Sequence, residues 1–378
     1  MRIAIDARYV ADHFPGIGRY VYNLLLALAA LDQPHTLVVL HNPALPNSRH
    51  DMAALARFPA VELVDTNARP FSAAEQVAIP RLLRRLRADL YHAPYYVRPY
   101  AGLPCPSVVT LYDAIPRLFP AEASPRARLL FDLLTRLAIR SSRRVIAISE
   151  SARADLAAAY HAPPERFVVT PLAADPRFRP QPADAIAAAR AKYGLPERYI
   201  LTLSSNKPHK NLPRLVEALA RISDRKIDHL VSLSACQLVI AGHWDPRYPE
   251  ARELAARLGL EAAVLFLPSI AEADLPALLS GAELFAFPSL YEGFGLPPLE
   301  ALACGAPVLC GDTSSLPEVV GEAALRVDTR NTMALAAGLA RLLNDAALRE
   351  TLHTAGPRRA AQFSWRRTAE ATLAVYLQ

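Results

Sequence analysis

Two carboxylates stand eight positions apart in residues 288–307, PSLYEGFGLPPLEALACGAP: Glu292 ahead of a Gly-Phe-Gly turn and Glu300 after a Pro-Pro step. Residues 282–287 before them are short and apolar enough for a buried strand, and residues 299–304 read as a helix that begins at the prolines and is closed by Gly305. Glu292 then falls in the strand-to-helix loop. Glu300 falls in the first helical turn, where unpaired backbone N–H groups and the helix dipole favour negative charge. The backbone of Gly293, Phe294, Gly295 and Leu296 is placed to face anionic oxygens, while the flanking carboxylates accept hydrogen bonds from hydroxyls. The ligand this suits is a polyanion that carries hydroxyls, such as a nucleotide sugar. Taken alone, the same residues are also an ordinary turn followed by an ordinary N-terminal helix glutamate.

Three other places could hold chemistry. SSNKPHKNL leads from a strand at 199–203 into a helix with apolar positions Leu212, Leu215, Val216, Leu219 and Ile222, so Ser205, Lys207 and Lys210 stand at a strand-to-helix turn. An ammonium there is well placed for a diphosphate, and an ordinary surface lysine is the plainer reading. Near the start, a strand at 2–7 is followed by a loop with Gly16, Gly18 and Arg19, then by a helix facing inward through Tyr20, Leu24, Ala27, Leu28 and Leu31. As a dinucleotide fingerprint this loop fails, because Val21 occupies the place of the third glycine. Three strand ends carry polar groups: His92 in YHAPYY, Tyr112 and Asp113 in TLYDAIP, and Ser149 in AISES.

The elements that must position these groups alternate. Strand-like runs at 2–7, 36–40, 61–64, 89–92, 107–111, 144–148 and 167–170, and again at 199–203, 238–241, 264–267 and 284–287, are separated by helical segments. Such alternation predicts α/β domains with parallel, doubly wound sheets and functional groups at the carboxyl ends of the strands. The three prolines of residues 173–182 interrupt the pattern, which places one domain at 1–175 and a second at 183–363.

Composition narrows the class. A chain of 378 residues with 52% apolar content is long enough for two cores. No apolar run is long enough to span a bilayer, and the start shows no basic leader with a cleavage site, so the expected location is the cytoplasm. The four cysteines show no paired or metal-site spacing and read as reduced thiols. A net charge of +6 comes with no aromatic platform or nucleic-acid module, so nucleic acid is not an expected partner. The arginines gather in two helical segments, Arg81, Arg84, Arg85 and Arg87 with Leu82, Leu83 and Leu86 interleaved, and residues 124–144 with Arg126, Arg128, Arg136, Arg140, Arg143 and Arg144. The plainer reading is a solvated helix face. The sharper one is peripheral docking on anionic lipid, at the inner face of the plasma membrane.

In detail, EGFGLPPLEALACGAPVL followed by SSLPEVVGEAAL resembles the E-x7-E signature of the retaining glycosyltransferases of family 4. That resemblance implies the GT-B fold, two Rossmann-like domains facing across a cleft, with the last helix (about 364–378) crossing back to the first domain. It implies that Glu292 contacts the donor sugar and Glu300 the nucleotide ribose, that Gly16 and Gly18 approach the diphosphate and acceptor, that the backbone of 268–270 holds the base, and that the loop 312–318 closes over the site. KPHKNL resembles the family's donor-phosphate loop, in which the lysine matching Lys210 is paired with an upstream arginine in many members. Here that place falls at Ser204 or Ser205, leaving Lys207 or Arg19 to compensate. TLYDAIPRLFP resembles the segment usually written with His-Asp; Tyr112 stands in the histidine's place beside Asp113, keeping a hydroxyl without a group that titrates near neutrality. His92 and Ser149 fall on the acceptor side, a satisfied strand-end histidine being the plainer reading of the former.

The resemblance further implies a metal-independent hexosyl transfer without a cofactor, with GDP-mannose as the first donor expected and UDP-glucose the second. The acceptor expected is a saccharide or lipid-linked saccharide. Two other readings compete: another GT-B enzyme such as an epimerase or phosphorylase, and a non-catalytic subunit of a glycan synthase, the latter motivated by Tyr112 and the absent arginine.

Overall fold

Short runs rich in β-branched and other apolar residues become strands because each is covered on both faces, and in this chain they do so twice. The computed structural model describes residues 1–223, 236–268 and 270–378. It divides into one unit of Met1–Leu172 with Ser364–Gln378 and another of Ala173–Phe363.

The first unit holds β1 (Arg2–Asp6), β2 (Thr36–His41), β3 (Val61–Asp65), β4 (Leu90–Ala93), β5 (Ser107–Leu111), β6 (Arg144–Ala147) and β7 (Phe167–Val169). All pair in parallel in the order β3-β2-β1-β4-β5-β6-β7. The second holds β8 (Arg198–Leu203), β9 (Cys236–Ala241), β10 (Val264–Leu267), β11 (Leu284–Phe287), β12 (Val308–Gly311) and β13 (Ala324–Val327), parallel in the order β10-β9-β8-β11-β12-β13. The winding reverses between β1 and β4 in one unit and between β8 and β11 in the other. Loops leaving the carboxyl ends of such strand pairs diverge, and each reversal opens a crevice.

Several local expectations change. Gly16 and Gly18 lie inside the Pro15–Ala29 helix, not in a loop ahead of it, because Pro15 is preset for the first helical position. A Cβ on Gly18 would lie 3.1 Å from the carbonyl oxygen of Tyr9, so that glycine lets the helix pack on the turn after β1. The Leu296–Ala303 helix starts directly after Gly295, whose φ of 108° few other residues adopt. Glu300 therefore sits in the second turn, and the helix-dipole argument for its charge weakens. Residues 312–318 are not a plain loop, since the Leu316–Val320 helix begins within them, and β12 and β13 were not singled out in the sequence. Leu82 and Leu83 are core residues, 8% and 0% exposed, so they cannot be the apolar contribution to a lipid-facing surface.

The Trp365–Leu377 helix belongs to the first unit. Thr368 Oγ1 donates to the carbonyl of Pro171 at 2.6 Å, and the Tyr376 hydroxyl meets His92 Nδ1 at 2.6 Å. Among the described residues no helix is long and apolar enough to cross a membrane.

Candidate active site

The reversal between β8 and β11 gathers the strongest sequence candidates. β8 runs out at Leu203, and the Ser204 N–H bonds the Ala241 carbonyl at the end of β9 (3.0 Å). A Cβ at Gly242 would lie only 2.2 Å from the Ser204 oxygen, and its φ is +142°, so glycine is what lets these two strand ends close up. The chain then makes the 3-10 turn Pro208–Lys210, and Asn211 takes a left-handed conformation (φ 58°). Asn211 Nδ2 donates to the carbonyls of Pro288 (3.2 Å) and Thr329 (2.8 Å), stapling this loop to the one after β11.

The staple delivers Lys210 to Glu292: Nζ donates to Oε1 at 2.6 Å, with the two side chains 17% and 11% exposed. Nζ also lies 5.5 Å from the Phe287 ring centre. The Glu292 N–H donates to Ser314 Oγ (2.9 Å). Ser315 Oγ lies 2.9 Å from the Glu292 carbonyl and 2.7 Å from that of Phe294, and its single hydrogen serves either. Residues 313–315, expected as a closing loop, thus brace the Glu-Gly-Phe-Gly turn from below. Phe294 is buried with its ring edge-on to Phe363, and Glu300 is 3% exposed. Ser205 is half-buried and Lys207 exposed on the loop that carries Lys210. Two hydroxyls in this crevice, Ser204 Oγ and Ser289 Oγ, are buried with no hydrogen-bond partner, a rare state for a polar atom in a finished fold. Of residues 268–270, Ser269 lies outside the described residues.

In the first unit the candidates separate. His92 is fully buried in β4, with Nε2 2.8 Å from Thr110 Oγ1 and Nδ1 on Tyr376, and burial pushes its pKa down to about 3. Both nitrogens are taken, which matches the plainer reading. Ser149 caps the Glu150–Tyr160 helix, accepting from the Ala152 N–H at 2.9 Å. Asp113 Oδ1 accepts from the Ile115 N–H (2.9 Å), closing the turn after β5. Tyr112 lies edge-on to Tyr20 and its hydroxyl is buried with no partner; burial pushes its pKa further above the ordinary phenol value. Gly16 is exposed and Arg19 half-buried at the front of their helix.

Sequence reasoning missed two features here. Arg8, fully buried, bridges Asp6 (2.6 Å) and Glu75 (3.0 Å), and the Tyr91 hydroxyl donates to Asp6 at 2.7 Å. Burial pushes the Glu75 carboxyl up to about 7 against the pull of Arg8. Its Oε1 accepts from the N–H of Phe71 (3.1 Å), a residue held at φ 64° with its ring 53% exposed. Phe71 stacks on Phe14, 5.9 Å between ring centres, and both line a hollow of about 510 Å³ with His13, Leu45, Pro46 and Arg69. The one signal in the sequence was the charged pair of the strand-like opening, Asp6 and Arg8; the hollow is assembled from three distant loops and had none.

Among the described residues no three His, Cys, Asp or Glu side chains are grouped to hold a metal ion. The profile of the family described as "Glycosyltransferase Family 4" matches residues 15–178, and that described as "Glycosyl transferases group 1" matches residues 186–359. O-antigen chain mannosyltransferase B of Escherichia coli is 27% identical over 100% of this chain and 99% of its own length. D-inositol 3-phosphate glycosyltransferase of Rhodococcus opacus is 33% identical over 76% of this chain and 67% of that protein. The serotype-specific mannosyltransferase WbdA of E. coli is 33% identical over half of this chain, which spans 22% of it. In fold, the chain is similar to sucrose-phosphate synthase of Thermosynechococcus elongatus (TM-score 0.78, 23% identity, 100% and 98% covered). It is also similar to Anabaena HepE in complex with UDP-glucose (TM-score 0.74, 20% identity, both chains fully covered).

Proposed function

We propose GDP-mannose as the donor of this chain, which belongs to glycosyltransferase family 4 and has the GT-B fold. The reaction is transfer of mannose, with retained anomeric configuration, to a hydroxyl of a saccharide or lipid-linked saccharide in polysaccharide synthesis. The observation that carries this is the meeting of Lys210 and Glu292 at the strand reversal of the second unit, at the front of the Leu296–Ala303 helix. A cation and a carboxylate meet there beside the Gly-Phe-Gly turn, a set that suits a nucleoside diphosphate sugar. Mannose is supported by the relatives whose names specify mannosyl transfer, and the guanine nucleotide is the donor that the family resemblance leads one to expect.

In the reaction the bond from the sugar C1 to the diphosphate oxygen breaks, and a bond from C1 to the acceptor oxygen forms on the same face. The acceptor proton passes to the departing diphosphate. Negative charge grows on that diphosphate, so the preorganised Lys210 and the backbone N–H groups of the Gly-Phe-Gly turn lower the barrier without a metal ion. Glu292 orients the sugar hydroxyls, Glu300 accepts from the ribose, and Ser204 and Ser289 hydroxyls gain the partners they lack. The acceptor saccharide is assigned to the first unit, its ring faces against Phe14 and Phe71 and its hydroxyls toward Arg69, with Tyr112 and Asp113 at the end of β5.

A thermal-shift panel with GDP, UDP, ADP and their sugars, run in chelator, tests this reading. A nucleotide present at one hundred times its dissociation constant adds about 2.7 kcal/mol of stability. Stabilisation by GDP with slow GDP-mannose turnover is the expected result. A response to UDP-glucose alone would replace the donor, and silence toward every nucleotide would favour a non-catalytic subunit.

A further inference from the structure

The Pro125–Ser141 helix buries Phe131, Thr135, Ala138 and Ile139, a three- and four-residue spacing that defines its core face. The opposite side of such a helix ordinarily carries charge of both signs. Here it carries Leu129, Leu133 and Leu137, with Leu130 beside them, exposed by 72%, 51%, 37% and 54%. Arg126, Arg136 and Arg140 are exposed on the same stripe, since positions 126, 129, 133, 136, 137 and 140 fall within one side of the helix. The helix contains one acid, Asp132, which lies off the stripe against Arg117 (3.5 Å) and the Tyr160 hydroxyl (3.1 Å).

We infer that this leucine and arginine stripe docks the first unit onto an anionic phospholipid surface. Four leucines side by side in water form the kind of contiguous apolar patch that marks an interaction surface. Arginines interleaved with them, with no acid on the stripe, select a partner whose apolar layer lies under a sheet of negative charge. The leucines enter the acyl boundary while the guanidinium groups stay with the headgroup phosphates. More charge stands nearby. The Glu75–Arg85 helix packs through Ile79, Leu82 and Leu83 into the same core as Phe131 and Ala138, so both helices cover one face of the sheet. Its Arg81, Arg84 and Arg85 are exposed. The arginine runs of the sequence thus act together, with their apolar complement supplied by the second segment and not by Leu82 and Leu83.

Flotation of the full chain with phosphatidylglycerol or phosphatidylcholine vesicles tests the inference. Wild type is expected to float with the former only. Arg126→Gln, Arg136→Gln and Arg140→Gln together lower partitioning about a hundredfold, at roughly fivefold for each charge. Leu129→Ser, Leu133→Ser and Leu137→Ser together abolish the binding that survives raised salt. Both variants keep the wild-type unfolding transition and nucleotide-induced thermal shift, because the altered side chains are exposed. Equal binding to both vesicles, binding to neither, or a leucine variant that floats like wild type would overturn it. So would a concentration-dependent dimer lost in the leucine variant without vesicle binding, which would give the face to a second copy of the chain.

Discussion

Lys210 and Glu292 answer each other at 2.6 Å, so a diphosphate entering this crevice competes with a carboxylate for the same ammonium. Breaking a pair this buried is costly unless another anion replaces the carboxylate, and the entering diphosphate supplies that anion. Glu292→Gln therefore has two effects of opposite sign. Affinity for the nucleoside diphosphate alone rises by at least about fivefold, since a pair this buried is worth more than the roughly 1 kcal/mol of an exposed one. Turnover of the sugar donor falls about a hundredfold, because the group that orients the sugar has lost its charge. Calorimetric titration of the nucleotide and initial rates with the donor measure the two separately; a fall in both would mean that Glu292 serves the loop's structure and not the ligand.

The element that matters most is the turn from β11 into the Leu296–Ala303 helix, and its shape depends on residues some twenty positions later. Ser314 and Ser315 reach back to Glu292 and Phe294, while Asn211 holds the start of the same turn through the Pro288 carbonyl. Ser315→Ala leaves a buried carbonyl without its donor and costs about 1–2 kcal/mol of stability. The loosened turn raises the donor KM severalfold while kcat changes little. Urea denaturation and saturation kinetics check this, and an unchanged KM would show that the turn holds its shape without the serine.

Across the whole molecule, the first unit ties together parts far apart in the chain. Tyr20 meets Thr110 at 3.0 Å, Thr110 meets His92, and His92 meets Tyr376 of the final helix. This chain of bonds works with a neutral imidazole, whose folded pKa of about 3 lies below the ordinary 6.5. The unfolded chain therefore binds a proton that the folded one refuses. The stability so contributed is complete above about pH 6.5 and is lost as pH falls toward 3. Glu75 works in the other sense: its carboxyl, raised from 4.5 to about 7, gives stability below 4.5 that is lost as pH rises through 7. Unfolding free energies of wild type and His92→Asn, measured from pH 7 to pH 4, should differ by a gap that narrows with acidity. A constant gap would show that the folded imidazole takes up its proton as readily as the unfolded one, and a widening gap that it stays protonated in the fold.

Local pattern alone determined much of this protein. The apolar runs marked β1 through β11, and Gly295, Pro297 and Pro298 marked where the chain turns from strand to helix. The Glu292 loop and KPHKN were legible because strand, turn and helix entry are decided by neighbours within a few positions. What lay beyond reach was whatever required distant segments to meet. Lys210 and Glu292 are 82 positions apart in sequence and their pairing had no local sign. His92, a strand-end imidazole, is taken at both nitrogens because Thr110 of the neighbouring strand meets one and helix Trp365–Leu377 folds back on the other. Leu83 and Leu133 are the same residue type in similar arginine-rich helices, yet one is 0% and the other 51% exposed. Only the packing of each helix on the sheet decided which leucines were core and which were surface, because burial is a property of the neighbours a side chain finds and not of the side chain itself.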